Sequence, residues 1–185
     1  MKVDLEWLKI KKEILIFEAE KLLEIQNKSS STDHSYFLRH IADGPENIKG
    51  NLPFTFVNRC VKATDDIFEL LKMEKPHERC DIKLNTNVMQ FWQDLNKKYK
   101  KTFPQRGDII VGNYNKGNKI VSEGFVGIIK SVDANLNMEI IEASVVNNYD
   151  DEPLSRQFDG LKVKIRPLSG KSKSKILGVF SPWVY

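Results

Sequence analysis

The chain has 185 residues, of which 41% are hydrophobic and 29% charged, and its formal net charge is +4. This length and composition are typical of one soluble globular domain with a sizeable core. The longest apolar runs are too short to cross a bilayer, so no membrane-spanning helix is predicted. Two cysteines, Cys60 and Cys80, are too few for the disulfide framework of a small secreted protein.

The N-terminal segment carries Asp4 and Glu6 where a secretory signal peptide would need an apolar stretch. We therefore predict no signal peptide. This fits a cytoplasmic protein, or one that is released by lysis or by a dedicated secretion machine. A chain trimmed of its leader fits equally well.

Helical periodicity dominates the first half of the chain. A long helix is predicted at residues 3–26, with lysines and glutamates filling the positions outside its apolar stripe. A second helix is predicted at 53–73, and Pro53 is favourable at its start because proline is favoured in the first turn of a helix. A third is predicted at 87–99. The stripe of the first helix is formed by Leu8, Ile10, Ile14, Leu15, Phe17, Leu22 and Ile25.

After Pro104 the pattern changes to short β-branched runs separated by turn residues. Helices followed by an antiparallel meander predict an α+β fold, with N-terminal helices packed on a C-terminal antiparallel sheet of about five strands. We expect a single domain at 1–185, in which 1–47 form a helical lead-in and 48–185 form the core. The predicted strands are 109–111, 124–132, 138–146, 161–166 and 176–180.

Several sequence blocks in this order resemble the NlpC/P60 and CHAP superfamily of papain-like cysteine peptidases and amidases. Residues 52–61, Leu-Pro-Phe-Thr-Phe-Val-Asn-Arg-Cys-Val, resemble the start of the helix that carries the family's cysteine. The Pro-x-x-Gly-Asp turn at 104–108 resembles the turn before its first strand. Gly-Phe-Val-Gly at 124–127 resembles the next strand, which usually reads Gly-His-Val-Gly. Residues 177–182 resemble the closing strand.

The resemblance assigns three positions to catalysis. A cysteine at a helix N-terminus has its pKa lowered by the helix dipole, and a histidine from a neighbouring strand accepts its proton. The resemblance places these groups at Pro53 and Phe125, neither of which has the necessary atoms. It places the third, orienting group at Glu142.

Glu142 would have no catalytic role without its histidine, so we interpret it as a solvent-facing strand residue. Pro53 and Phe125 are both apolar. We therefore expect Phe125 to be buried and packed near Pro53, so that a hydrophobic plug fills the former active site.

A relocated nucleophile is the alternative. Cys60 lies about 10 Å along the helix from Pro53, and we expect it to be a buried, inert thiol. Cys80 has His77 three residues before it, which makes this pair a possible dyad. The three histidines and Cys80 lack the paired short spacing of zinc sites, so no metal and no cofactor is predicted.

Residues 161–175 form a basic segment without any acidic residue. Strand alternation places the first three cations on one face and Val163 and Ile165 on the other. The segment is interpreted either as an anion-binding stripe or as a solvated strand whose lysines protect a sheet edge from aggregation. Its cations are Lys162, Lys164, Arg166, Lys171, Lys173 and Lys175.

These observations lead to three hypotheses. The first is a catalytically inactive NlpC/P60–CHAP-like module that binds a peptide, a peptidoglycan fragment or a protein partner. The second is an active cell-wall amidase or peptidase with a relocated nucleophile. The third is a basic protein that binds an anionic polymer through residues 161–175.

Overall fold

The fold is α+β, as the sequence predicts, with three helices and a six-stranded antiparallel sheet in the residues that the structure describes. The computed structural model describes residues 2–28, 52–71, 77–82, 87–116, 119–147, 156–168 and 174–184. No helix in these ranges is both long and apolar enough to cross a membrane.

The helices are α1 (Lys2–Lys28), α2 (Leu52–Leu70) and α3 (Val88–Asp94). The first two lie close to their predicted positions. The third is shorter than the predicted 87–99, because the backbone is already extended at Leu95 and the Asn96 side chain accepts a hydrogen bond from the backbone N–H of Lys98 (3.1 Å). The residues after Asp94 therefore form a turn instead of a further helical turn.

The strands are β1 (Glu78–Arg79), β2 (Lys100–Lys101), β3 (Ile109–Lys116), β4 (Lys119–Val132), β5 (Asn137–Asn147), β6 (Arg156–Pro167), β7 (Ser174–Phe180) and β8 (Trp183–Val184). They form two sheets. The main sheet has the order β2-β7-β3-β4-β5-β6, and every pair is antiparallel. It has one strand more than the predicted five, because the two-residue strand β2 pairs with β7. In the second sheet, β1 pairs with β8.

The two faces of the main sheet bury separate apolar clusters. One face packs against all three helices, and we call it the helical face. The other, which we call the second face, carries a cluster drawn from the strands and Leu168. The helical face includes Val111, Val126, Ile128 and Ile141. The buried members on the second face are Ile110, Phe125, Ile129, Met138, Ile140 and Val179.

The buried side of α1 contains two lysines, which corrects the sequence-based assignment of its faces. Lys11 is 1% exposed and pairs with Asp65 of α2 at 3.0 Å, while Lys12 pairs with Asp108 at 2.6 Å. These partners make burial of the lysines possible, because a buried charge needs a hydrogen-bonded counterion. Three of the predicted stripe residues are instead exposed: Ile10, Phe17 and Ile25.

The Pro-x-x-Gly-Asp turn anchors α1 to the sheet. Gly107 has φ 77°, and a Cβ there would lie 2.4 Å from Lys12 Cβ, so only glycine fits. Asp108 Oδ2 accepts a hydrogen bond from the Gln105 backbone N–H (3.0 Å). Burial raises the pKa of Asp108, and the Lys12 ammonium opposes that shift. This motif therefore has a structural role in the fold.

Candidate functional site

Pro53, at the position of the family's cysteine, lies in the buried first turn of α2. The next residue, Phe54, packs on Phe91 of α3 with ring centroids 4.6 Å apart, and Phe91 in turn lies 5.5 Å from Phe180 of β7. The start of α2 is thus surrounded by aromatic side chains. No thiol is present there to be activated by the N–H groups of the first turn.

Phe125, at the position of the family's histidine, is fully buried as expected, but it does not belong to the cluster that packs on α2. Along β4, Val126 and Ile128 point toward the helices. Side chains alternate along a strand, so Phe125 points to the second face. The expectation that Phe125 packs near Pro53 is therefore wrong.

Glu142 also lies on the second face, and its expected solvent exposure is wrong, since the residue is 0% exposed. It is buried because cations from the next strand cover it. Arg166 donates from Nε and Nη2 to the two carboxylate oxygens, both at 2.9 Å. The ammonium of Lys164 lies 2.6 Å from Glu142 Oε1. A bidentate guanidinium–carboxylate pair of this kind is geometrically specific and strong.

Arg166 connects the two family positions. Its guanidinium carbon lies 3.6 Å from the centroid of the Phe125 ring while the same group binds Glu142. A guanidinium over an aromatic face is attracted by the ring quadrupole. Gly112 makes room for the ring, because a Cβ at this glycine would lie 2.3 Å from Phe125 Cζ. We call Phe125, Glu142, Lys164 and Arg166 the arginine cluster.

The arginine cluster contains neither an imidazole nor a thiol. The phenylalanine ring cannot accept a proton, and the Arg166 guanidinium is held between Glu142 and that ring. The carboxylate of Glu142 accepts hydrogen bonds from Arg166 and lies against Lys164. The arrangement is therefore suited to holding β4, β5 and β6 together.

The two cysteines considered as a relocated nucleophile, Cys60 and Cys80, are both buried. Burial raises the pKa of the Cys60 thiol far above its usual value, which agrees with the inert role predicted for it. Burial also raises the pKa of Cys80 to about 12. The Cys80 thiol donates to the Asp81 carbonyl (3.7 Å), and His77 is itself 6% exposed. Cys80 is therefore a protonated thiol at neutral pH.

A groove of about 280 Å³ lies between α3 and β1, and Cys80 is part of its lining. The Tyr99 hydroxyl at its wall donates to Glu78 (3.0 Å), and burial raises the pKa of Tyr99 to about 12. In the described part of the chain, no three histidine, cysteine or acidic side chains are close enough to share a metal ion. The groove can hold a small group, but the Cys80 thiol and the Tyr99 hydroxyl are both protonated at neutral pH.

The predicted basic strand is confirmed as part of β6. Lys162, Lys164 and Arg166 are partly buried on one side, while Val163 and Ile165 are exposed on the other. Lys171 and Lys173 lie outside the described residues.

Sequence reasoning missed two contacts of β6. It did not pair Arg166 with Glu142, although both were singled out and an alternating strand puts them on one face. It also missed Gln26 at the end of α1, whose side-chain amide bonds the backbone of Leu161. Neither contact has a local sequence signal, because the residues of each pair lie far apart in the chain.

Comparisons with protein-family models, with curated protein sequences and with solved structures give no match.

Proposed function

We propose that the protein is a catalytically inactive member of the NlpC/P60–CHAP superfamily that acts as a binding module for a peptide or protein partner. One observation carries the proposal. Phe125 and Glu142, at the positions that the resemblance gives to the base and the orienting group, share one face of adjacent strands. The ring of Phe125 and a carboxylate paired with Arg166 occupy the positions that the resemblance gives to a histidine and its partner.

The geometry at α2 supports inactivity in a different way. Pro53 has no nucleophilic atom, and the helix start packs in an aromatic cluster. Phe125 lies on the sheet face away from α2, so the positions that the resemblance gives to the nucleophile and the base lie on opposite faces of the sheet. Restoring Cys at 53 and His at 125 should therefore not restore a catalytic pair, because the two side chains would not meet.

The alternative of a relocated nucleophile at Cys80 is opposed by the protonation of its thiol. With a pKa of about 12, only about one Cys80 thiol in 100,000 is ionised at pH 7. A cysteine hydrolase requires the thiolate, so this site would have almost no hydrolytic activity without an activating base.

Labelling with iodoacetamide tests this point directly. We expect very slow modification of the native protein at pH 7, a rate that rises about tenfold per pH unit toward pH 12, and rapid labelling after denaturation. The variants Cys60→Ala and Cys80→Ala identify which thiol reacts. Rapid modification of Cys80 at neutral pH in the folded protein would contradict the proposal.

Hydrolysis of peptidoglycan stem peptides is the second readout. We expect no cleavage above the buffer background from the natural sequence or from Pro53→Cys combined with Phe125→His. Cleavage that is lost in Cys80→Ala would establish a relocated nucleophile and overturn the assignment as an inactive module.

A further inference from the structure

Strand β6 is an edge of the main sheet, and the direction of its backbone groups is known. It pairs only with β5 in the described sheet, and the regular register from Leu161 to Pro167 continues into a bond from the Leu168 N–H to the Leu136 carbonyl (3.1 Å). Backbone groups alternate in direction along an antiparallel strand. The even-numbered residues therefore bond to β5, and the odd-numbered residues point outward.

The outward groups at one end of this edge already have a partner. Gln26 Nε2 donates to the Leu161 carbonyl (3.0 Å), and the Leu161 N–H donates to Gln26 Oε1 (2.7 Å). The side-chain amide thus occupies the place of a neighbouring strand. At the other end stands Pro167, which has no N–H to present and is tolerated where that position faces outward.

Between these ends, Val163 and Ile165 form an open stretch of edge. Their side chains are 42% and 66% exposed. Within the described ranges, no hydrogen bond of either residue is found beyond the ladder to β5. Two exposed β-branched side chains beside outward-pointing N–H and C=O groups are the features that an added strand uses.

The charge of this strand indicates the kind of strand that fits. Lys162, Lys164 and Arg166 project from the other side of β6, where Lys164 and Arg166 share the one carboxylate of Glu142, and no acidic residue occurs from 161 to 175. A neighbouring strand places its own alternating side chains beside these two rows, where opposite charges attract and like charges repel. Acidic residues would lie beside the cations, and apolar residues beside Val163 and Ile165.

We propose that β6 binds an extended acidic segment of a partner protein, in which acidic and apolar residues alternate, as an additional strand along Val163 and Ile165. This proposal rests on the binding role proposed above and assigns its site and ligand class. A second copy of the chain fits less well, because pairing β6 with itself would bring two rows of cations together.

Fluorescence anisotropy with a labelled peptide that alternates glutamate and valine tests the site. We expect binding that weakens as salt is raised, and at least tenfold weaker binding of a peptide that alternates lysine and valine. Ile165→Pro removes one outward N–H while leaving the ladder to β5 intact, so it should weaken binding at least tenfold. The conservative variant Ile165→Val keeps both the N–H and an apolar β-branched side chain, so it should weaken binding much less than Ile165→Pro.

Two further measurements keep the test independent of how the proline variant folds. In the first, a peptide N-methylated on alternate residues cannot form the ladder and should not bind. In the second, hydrogen exchange at the Val163 and Ile165 amides should slow only when the unmodified peptide is added.

Each other outcome contradicts the proposal. Binding that is unchanged in a folded Ile165→Pro variant would place the peptide elsewhere and leave the binding-module role standing. Equal binding of the lysine peptide, or no peptide binding at all, would reject the acidic strand. A dimer in sedimentation that Ile165→Pro dissociates would show that the occupant is a second copy.

Discussion

The two faces of the main sheet are buried by different means. On the helical face, apolar residues of α1, α2 and α3 cover the strands, and the buried ammonium groups of Lys11 and Lys12 are paired with Asp65 and Asp108. On the second face, no helix among the described residues joins the apolar cluster. There the Arg166 guanidinium lies over the Phe125 ring and binds the fully buried carboxylate of Glu142.

This difference shows that the two faces depend on different kinds of contact for their stability. On the helical face, most buried contacts are apolar and tolerate modest substitutions, and two ion pairs, Lys11–Asp65 and Lys12–Asp108, attach α1. On the second face it depends on a charge pair in which each member is costly without the other. Phe125 and Glu142 both belong to the arginine cluster on the second face, so a change at either residue disturbs the charge pair and not only apolar packing.

The largest effect is expected from Glu142→Gln. Removing the carboxylate leaves Arg166 and Lys164 without their shared counterion, which should lower the free energy of unfolding by about 3–5 kcal/mol. Denaturant unfolding followed by circular dichroism measures this change.

Glu139→Gln is the matched control on the same strand. Glu139 points to the opposite face, its side chain is 32% exposed, and its nearest described cation is 3.9 Å away, so its loss should be below about 1 kcal/mol. Adding Arg166→Met to Glu142→Gln should recover part of the stability. Equal losses for Glu142→Gln and Glu139→Gln would show that the two faces do not differ in this way.

A glycine on each face gives a finer comparison. A Cβ at Gly112 would meet Phe125 Cζ at 2.3 Å and the Lys175 carbonyl at 2.9 Å, whereas the three atoms nearest to one at Gly178 would all belong to the ring of Trp92, the first at 2.3 Å. Trp92 is partly exposed, and a side-chain ring can shift more readily than a backbone carbonyl. Gly112→Ala should therefore cost about 2–3 kcal/mol and Gly178→Ala about 1 kcal/mol, measured as shifts in the denaturation midpoint. A larger loss at Gly178 would contradict this ranking.

The smallest effect is expected outside both cores, at Arg106. It binds Glu13 with two bonds of 2.7 and 2.8 Å, and this contact lowers the pKa of Glu13. A lowered carboxyl pKa contributes stability above the unfolded-state pKa and loses it as the pH falls. Arg106→Lys should cost less than about 1 kcal/mol at pH 7 because the pair is exposed, and the difference should vanish at acidic pH. Thermal unfolding at both pH values checks this.

The fold class was predictable because it follows from local periodicity. Regular apolar spacing identified α1 and α2, and β-branched runs located the five main strands of the C-terminal half. The end of α3 was missed because the Asn96 turn competes with a helix by a single side-chain hydrogen bond.

The candidate site was less predictable because its contacts join distant parts of the chain. The inward-facing side of α1 was misassigned because Lys12 finds its acid 96 residues away. Glu142 was misassigned because its burial depends on Arg166, 24 residues further along. Composition and periodicity report whether a residue is charged, but they do not report whether a counterion will meet it in the fold.

Helix α1 has two attachments to residues far along the chain. Lys12 binds Asp108, 96 residues later, and Gln26 binds Leu161, 135 residues later. Closing such long loops costs entropy before any contact forms, so we expect these two attachments to form late in folding, after β3–β6 have paired. On the ribosome, a chain stopped before β6 would already contain α1, but not the residue that bonds its last turn.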